Sequence, residues 1–306
     1  MALKIVKSSE PIKVNSICVM VYGQPGAGKT SLSFTAESPL LLDFDRGAYR
    51  SQFRKDSVQI DTWKDVSDIS ASDLDGYKTV VVDTVGRLLD VLAVHIVSDN
   101  PNMRGYGGAL SLQGYGALKS AYAGWLKTLL SYGKDVILIA HDKEEKSGDD
   151  LIVRPDIQGG SYGEVFKRAD GVAYLHKYGK ATVLDFSPTD KWVGKNAAKF
   201  DTLTVPDFTK DALYMGGVIG KIKDALNSMS EEQVKTMAIV EDWRAKLTDI
   251  HGEAADVEIN NAVKECASIG GPALAQVRKL ITDRAEALGL KYEGEKGKGK
   301  FVKQAA

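Results

Sequence analysis

With 306 residues and 43% apolar side chains, the chain can bury one large core and an appendage, which excludes a disordered or purely fibrous protein. Lys and Arg number 40 against 41 Asp and Glu, a formal charge of −1, so any nucleic acid or anionic lipid must meet a local basic patch rather than the field of the whole molecule. The two cysteines, Cys18 and Cys266, form no CxxC pair or disulfide framework, and no segment has signal-peptide character or approaches the roughly 20 apolar residues of a membrane span; the composition points to a reducing, cytoplasmic setting with no membrane partner.

Apolar runs at 17–22, 40–43, 79–83, 136–140, 172–175 and 182–186 predict strands. Most are continuous rather than alternating, the pattern of strands covered on both faces. Between them, helices are predicted over 29–37, 85–97 and 115–130, the second with Leu88, Leu89, Leu92 and Ile96 as its apolar residues. The expected class is α/β, a mostly parallel central sheet flanked by helices, with the later strands free to run antiparallel. Beyond Met229 the texture changes: Ser230 with Gln233 reads as a capping box opening a helix to Asp249, with Val234, Ile239, Trp243 and Leu247 roughly on one face. Helices over 255–268 and 272–287 follow, the last opening on Pro272. The end, KYEGEKGKGKFVKQAA from Lys291, carries five lysines against two glutamates and repeated glycine, and reads as a basic disordered tail. The expected organisation is a core over 1–228, a small helical region over 229–290 and a tail over 291–306.

The chemistry is concentrated in GQPGAGKTS, where Gly23 to Thr30 satisfy GxxxxGK[ST] between an apolar run and a helix former, the context that a P-loop requires. Glycine lets the backbone wrap closely enough to aim successive N–H groups at phosphate oxygens. Gly23, Gln24, Pro25, Gly26, Ala27, Gly28, Lys29, Thr30 and Ser31 are therefore the expected nucleotide contacts. Lys29 is expected on the β- and γ-phosphates of ATP and the Thr30 hydroxyl on Mg²⁺. Asp83 ends YKTVVVD, where burial of a carboxylate is costly without a cation or donors; it suits metal orientation, or else the cap of the following helix. Asp43 and Asp45, two apart in LLLDFD, share one side of an extended chain. One could help place the metal and the other activate water, or both could be ordinary turn acids. His141 ends VILIA; because His95, His176 and His251 show no ligand spacing with it, a phosphate or water contact fits better than a metal site.

VYGQPGAGKTS, LLLDFDRGA, YKTVVVDTVGRLL, ILIAHDKEEK and FKRADGVAYL occur in that order. Through them, residues 15–205 resemble the RecA-like phage ATPases of the AAA-type nucleotide-binding group, which assist single-strand annealing and recombination. The resemblance implies a RecA-like P-loop core. It places the catalytic carboxylate at Asp45, where RecA itself has Glu, with Asp43 as the rival. His141 falls where RecA has the glutamine that couples the γ-phosphate to DNA. Two DNA-contacting segments are implied, 100–114 with Arg104 and Tyr106, and 142–160 with Lys143, Lys146 and Arg154. Lys195 matches a RecA lysine that reaches a neighbouring subunit's ATP, which implies a homo-oligomer; Ala197 occupies the place of the second lysine of that pair.

The reading that follows is a DNA-stimulated ATPase of phage recombination acting on single-stranded DNA, with the basic tail adding affinity and a single-strand-binding protein or other recombination proteins as partners. A nucleotide or small-molecule kinase is the alternative and would need an acceptor pocket. A noncatalytic ATP-dependent loader of replication proteins is the third reading.

Overall fold

Six consecutive buried residues, Cys18–Gly23, form the central strand β1 of the computed structural model, which describes residues 5–51, 53–147, 150–158, 160–294 and 299–303. Residues 148, 149 and 159 of the second expected DNA segment, and 295–298 and 304–306 of the expected tail, lie outside the described residues. After β1 come α1 (Lys29–Ser33), β2 (Pro39–Asp43), β3 (Ser57–Gln59), α2 (Lys64–Ser67), β4 (Thr79–Asp83), α3 (Val85–Asp99), α4 (Leu112–Ser131), β5 (Asp135–Ser147), β6 (Asp150–Pro155), α5 (Ser161–Arg168), β7 (Gly171–Tyr178), β8 (Ala181–Asp185) and β9 (Leu203–Thr204). The long α6 (Tyr214–Thr248), then α7 (Ala255–Glu265), α8 (Ala273–Ala287), β10 (Leu290–Glu293) and β11 (Lys300–Lys303) complete the chain.

The main sheet has the order β3-β2-β4-β5-β1-β7-β8-β9, with β6 paired to β5. Strands β3 through β7 in that order are parallel, and β8, β9 and β6 pair antiparallel. One strand, β5, therefore stands between the P-loop strand β1 and the Asp83 strand β4, and the mixed α/β sheet flanked by helices is that of a RecA-like P-loop NTPase. The period of two along a strand explains why the runs are apolar throughout: Cys18, Met20 and Tyr22 enter one core while Val19 and Val21 enter the other. On the first side α3 and α4 supply Leu88, Leu92, Leu118 and Leu126; on the second, α1 and the start of α6 supply Leu32, Met215, Val218 and Ile222. Each such aliphatic side chain removed from water contributes about 1.5–3 kcal/mol before conformational entropy is subtracted.

The chain forms two compact units, Val14–Leu226 and Met1–Lys13 with Asn227–Ala306. Four expectations are corrected. The helix expected over 29–37 stops at Ser33, because Thr35 turns its hydroxyl to the Leu32 carbonyl and the chain then reverses through Ser38, at a φ of 39°, before Pro39 opens β2. No helix begins at Ser230, which lies inside α6; its hydroxyl accepts from the Ile12 amide at 2.8 Å rather than capping. The strand ending at His141 runs on to Ser147 and turns back as β6, so 142–155 is largely a hairpin and not a loop. The terminal segment is not wholly disordered: β10 and β11 pair, with Leu290 and Phe301 buried in a core shared with Val277, Ile281 and Trp243. Among the described residues, no helix is long and apolar enough to cross a membrane.

Candidate functional site

The loop after β1 is dictated by crowding and backbone geometry. A Cβ on Gly23 would lie 2.3 Å from the Leu175 carbonyl oxygen of β7. Gly26 and Gly28, with φ of 77° and 93°, hold left-handed backbone that L side chains rarely adopt, and α1 begins directly after them at Lys29. Lys29 is 6% exposed, and its ammonium donates to the carbonyls of Gly23 (2.7 Å) and Gln24 (2.8 Å), which holds it at the mouth of the loop. Burial lowers its pKa, and the carboxylates of Asp83, Asp142 and Asp45 oppose that shift.

The Thr30 hydroxyl donates to Asp83 Oδ2 at 2.6 Å, which joins the P-loop helix to the end of β4. Asp83 does not cap the next helix: Thr84 does, accepting from the Arg87 amide at 3.4 Å. Burial raises the Asp83 pKa against the lowering effect of the Thr30 bond. A hydroxyl and a buried carboxyl in contact, both hard oxygen donors, fit Mg²⁺ that keeps its remaining positions for phosphate and water. Among the described residues, no group of three or more His, Cys, Asp and Glu could hold a metal by itself.

Asp43 and Asp45 separate in role. Asp43 is 1% exposed and accepts from the Gly47 and Ala48 amides, each at 3.0 Å, one per carboxylate oxygen. It closes the turn after β2, with each of its oxygens engaged by a backbone amide of that turn. Asp45 lies beyond the strand end, between Arg87 Nε at 3.4 Å and His141 Nε2 at 3.6 Å. His141 is the register partner of Gly23, which puts it beside the phosphate loop; its buried Nδ1 has no hydrogen-bond partner among the described residues.

Lys195 is elsewhere. Its ammonium donates to the Lys167 (3.1 Å) and Ala169 (2.8 Å) carbonyls and sits over the Phe166 ring, so it caps the carboxyl end of α5 within its own chain. Within this chain the ammonium is held by these contacts at the end of α5.

Of the two expected DNA segments, the structure brings parts together. A cavity of about 360 Å³ is lined by Arg104 and Leu110 from the first and by Gln158 from the second, with Ser161 at the start of α5. Tyr106 is fully exposed and outside it. Lys143 and Arg154 are engaged by Asp156 and Glu145. Two features escaped sequence reasoning. One is a cavity of about 340 Å³ beside Ala27, Gly28 and Leu32 of the phosphate loop, closed by Thr182, Val205 and Phe208. The other is Arg87, whose only sequence signal is its place one turn after Asp83.

Fold and site together define a P-loop nucleotide-binding core. The chain belongs to the AAA domain family, whose sequence profile matches residues 15–198, more than half of it. No curated protein sequence matches significantly. Among solved structures, the chain is similar to a KaiC-like protein from the hyperthermophilic archaeon Pyrococcus horikoshii OT3, at 13% identity over 57% of this chain and 85% of that one, with a TM-score of 0.32. It is likewise similar to the RadB recombinase, at 15% identity over 56% and 83%, with a TM-score of 0.34.

Proposed function

We propose that the protein is a magnesium-dependent ATPase whose nucleotide state sets its hold on single-stranded DNA, in the manner of phage recombination and strand annealing. The ATP reading rests on the Lys29, Thr30 and Asp83 constellation. In it, Lys29 exchanges two loop carbonyls for phosphate oxygens, and Thr30 and Asp83 hold the metal, which when bound supplies charge to the phosphates. Asp45 orients and deprotonates the attacking water, and His141 reports the γ-phosphate to the β5–β6 hairpin that begins one residue later.

The DNA reading rests on one observation, the convergence of Arg104 and Gln158 on a single cavity at the amino end of α5. Three neighbours suit a backbone phosphate there. The Ser161 hydroxyl is buried without a partner among the described residues. Lys119 stands so close that a Cβ on Gly160 would lie 3.1 Å from its Nζ. Helix amides at that end favour an anion. The test is ATP turnover measured with and without single-stranded oligonucleotide. Stimulation of several-fold is expected; turnover indifferent to DNA would remove the coupling, and no turnover at all would remove the ATPase.

A second reading, phosphoryl transfer to a small acceptor, draws on a cavity of about 640 Å³ that opens beside Asp45 and is lined by Arg46, Trp63, Arg87 and His95. Release of the γ-phosphate as inorganic phosphate in the absence of any added acceptor would count against it.

A further inference from the structure

The unit that contains α7 and α8 carries a hollow that no sequence motif announces. It lies between those helices and the β10–β11 pair, with a volume of about 970 Å³, at the upper end of the usual range for a binding pocket. Its apolar lining comes from the unit's own core: Cys266, Ile281, Leu290 and Phe301 are all buried there and all border the cavity.

Three cations line the same hollow, Lys264 on α7, Arg278 on α8 and Lys291 on β10. All three are exposed, and among the described residues none has a carboxylate within ion-pair distance. Elsewhere in this unit cations do find partners: Lys246 stands 3.3 Å from Glu265, and Lys303 4.0 Å from Asp256. Arg278 and Ile281 are three apart on α8, which sets a cation directly beside the apolar floor. Glu286 is the one carboxylate among the described lining residues, so the hollow keeps a net positive charge.

An apolar hollow ringed by unpaired cations suits a peptide that buries an apolar side chain and sets carboxylates on the rim. The buried side chain supplies the hydrophobic free energy, and the cations orient and steer the approach. A nucleic-acid strand fits less well. Its bases need an aromatic platform, whereas the Tyr292 ring is engaged by Phe301 in a T-shaped contact at 5.2 Å and 68°, and its hydroxyl accepts from the Gly299 amide at 2.9 Å. Glu286 would also repel a continuous row of phosphates.

We infer that this hollow is the docking site for an acidic peptide of a partner protein, one that carries an apolar anchor between its carboxylates. Lys264, Arg278 and Lys291 receive the carboxylates, and the space beside Ile281, Leu290 and Phe301 takes the anchor. The inference uses no residue of the nucleotide site and stands or falls apart from the nucleotide reading.

The experiment is fluorescence anisotropy of the full chain with a labelled hexapeptide that has Phe and Leu between two pairs of Asp. Saturable binding is expected. The same peptide with Ala in place of Phe and Leu should bind at least about tenfold more weakly. R278A and K291A should each weaken binding about two- to fivefold, and E286Q should tighten it by about twofold, the range of exposed charges. A267F fills the hollow from its exposed edge, leaves the cations in place and should abolish binding. The gain in E286Q is a result that loss of fold cannot produce. No saturable binding up to roughly 1 mM peptide overturns the inference. So does equal affinity for the anchorless peptide, which leaves a surface attraction only. A thymidine oligonucleotide that displaces the peptide and is itself weakened by R278A would reassign the hollow to nucleic acid. A doubled mass in light scattering that A267F halves would reassign it to a second copy of this chain.

Discussion

Asp43 and Asp45 stand two residues apart at one strand end and do opposite work: both oxygens of Asp43 accept backbone amides of the turn that follows, whereas Asp45 faces Arg87 and His141 at 3.4 and 3.6 Å. Asn at position 43 would turn an amide N–H against one of those donors, leaving a buried polar group unsatisfied. D43N is therefore expected to lower stability by about 1–3 kcal/mol. D45N is expected to keep the fold and ATP affinity while losing turnover by about 10²–10⁴-fold. Denaturation and steady-state kinetics on the pair settle the division; a larger loss of turnover without destabilisation in D43N would reverse the assignment.

The Asp83 carboxyl is destabilising until something cationic arrives. Burial raises its folded pKa, so the folded chain binds that proton more tightly than the unfolded chain does. Stability of the nucleotide-free protein then declines as pH rises from the ordinary carboxylate range through the raised value, and stays reduced at neutrality. D83N removes the charge and keeps an acceptor for Thr30. Its Tm without nucleotide should exceed that of the unsubstituted protein at pH 7, the difference closing in acid, while magnesium-dependent turnover falls by more than about a hundredfold.

Among the described residues the buried Nδ1 of His141 has no partner, and the residue lies where the hairpin begins. H141A should leave ATP affinity within about threefold but abolish the difference in DNA affinity between the ATP-bound and nucleotide-free protein, read by fluorescence anisotropy. A persistent difference would move the coupling to another residue.

The parallel sheet was legible because short, continuous, β-branched runs such as TVVVD suit strands buried on two faces, and the phosphate loop because its glycines have backbone reasons to be there. What stayed hidden was tertiary. Nothing local distinguishes Asp43 from Asp45; only the amides of Gly47 and Ala48, folded back over the strand end, do so. Ser230 carries a capping signature that a neighbouring backbone amide, Ile12 N–H, overrides. In the lysine-rich terminus, glycine and charge mask Leu290 and Phe301, whose burial draws the strand pair together.

Lys195 illustrates the same limit and yields its own test. Two carbonyls and the Phe166 ring already surround its ammonium at the end of α5. K195A is expected to cost about 1–2 kcal/mol of stability through the uncapped carbonyls, with ATP affinity and turnover changed less than about twofold. Loss of turnover that reappears on mixing with a second, P-loop-defective variant would restore a role across subunits.

Lys119 allows the DNA reading to be tested without touching the nucleotide site. It shows no ion pair among the described residues and stands beside Gly160, at the amino end of the helix whose first residue is Ser161. A lysine that neutralises one phosphate of a single strand releases the counterions held there, and contributes about 0.7 to the slope of log affinity against log salt. K119A should therefore reduce the slope by about that amount, weaken binding about equally across oligonucleotide sequences, and leave ATP affinity unchanged. S161A, which removes a neutral hydroxyl, should weaken binding without altering the slope. Should K119A leave both affinity and slope intact, the strand does not pass over the amino end of α5, and the convergence of Arg104 with Gln158 would be packing alone.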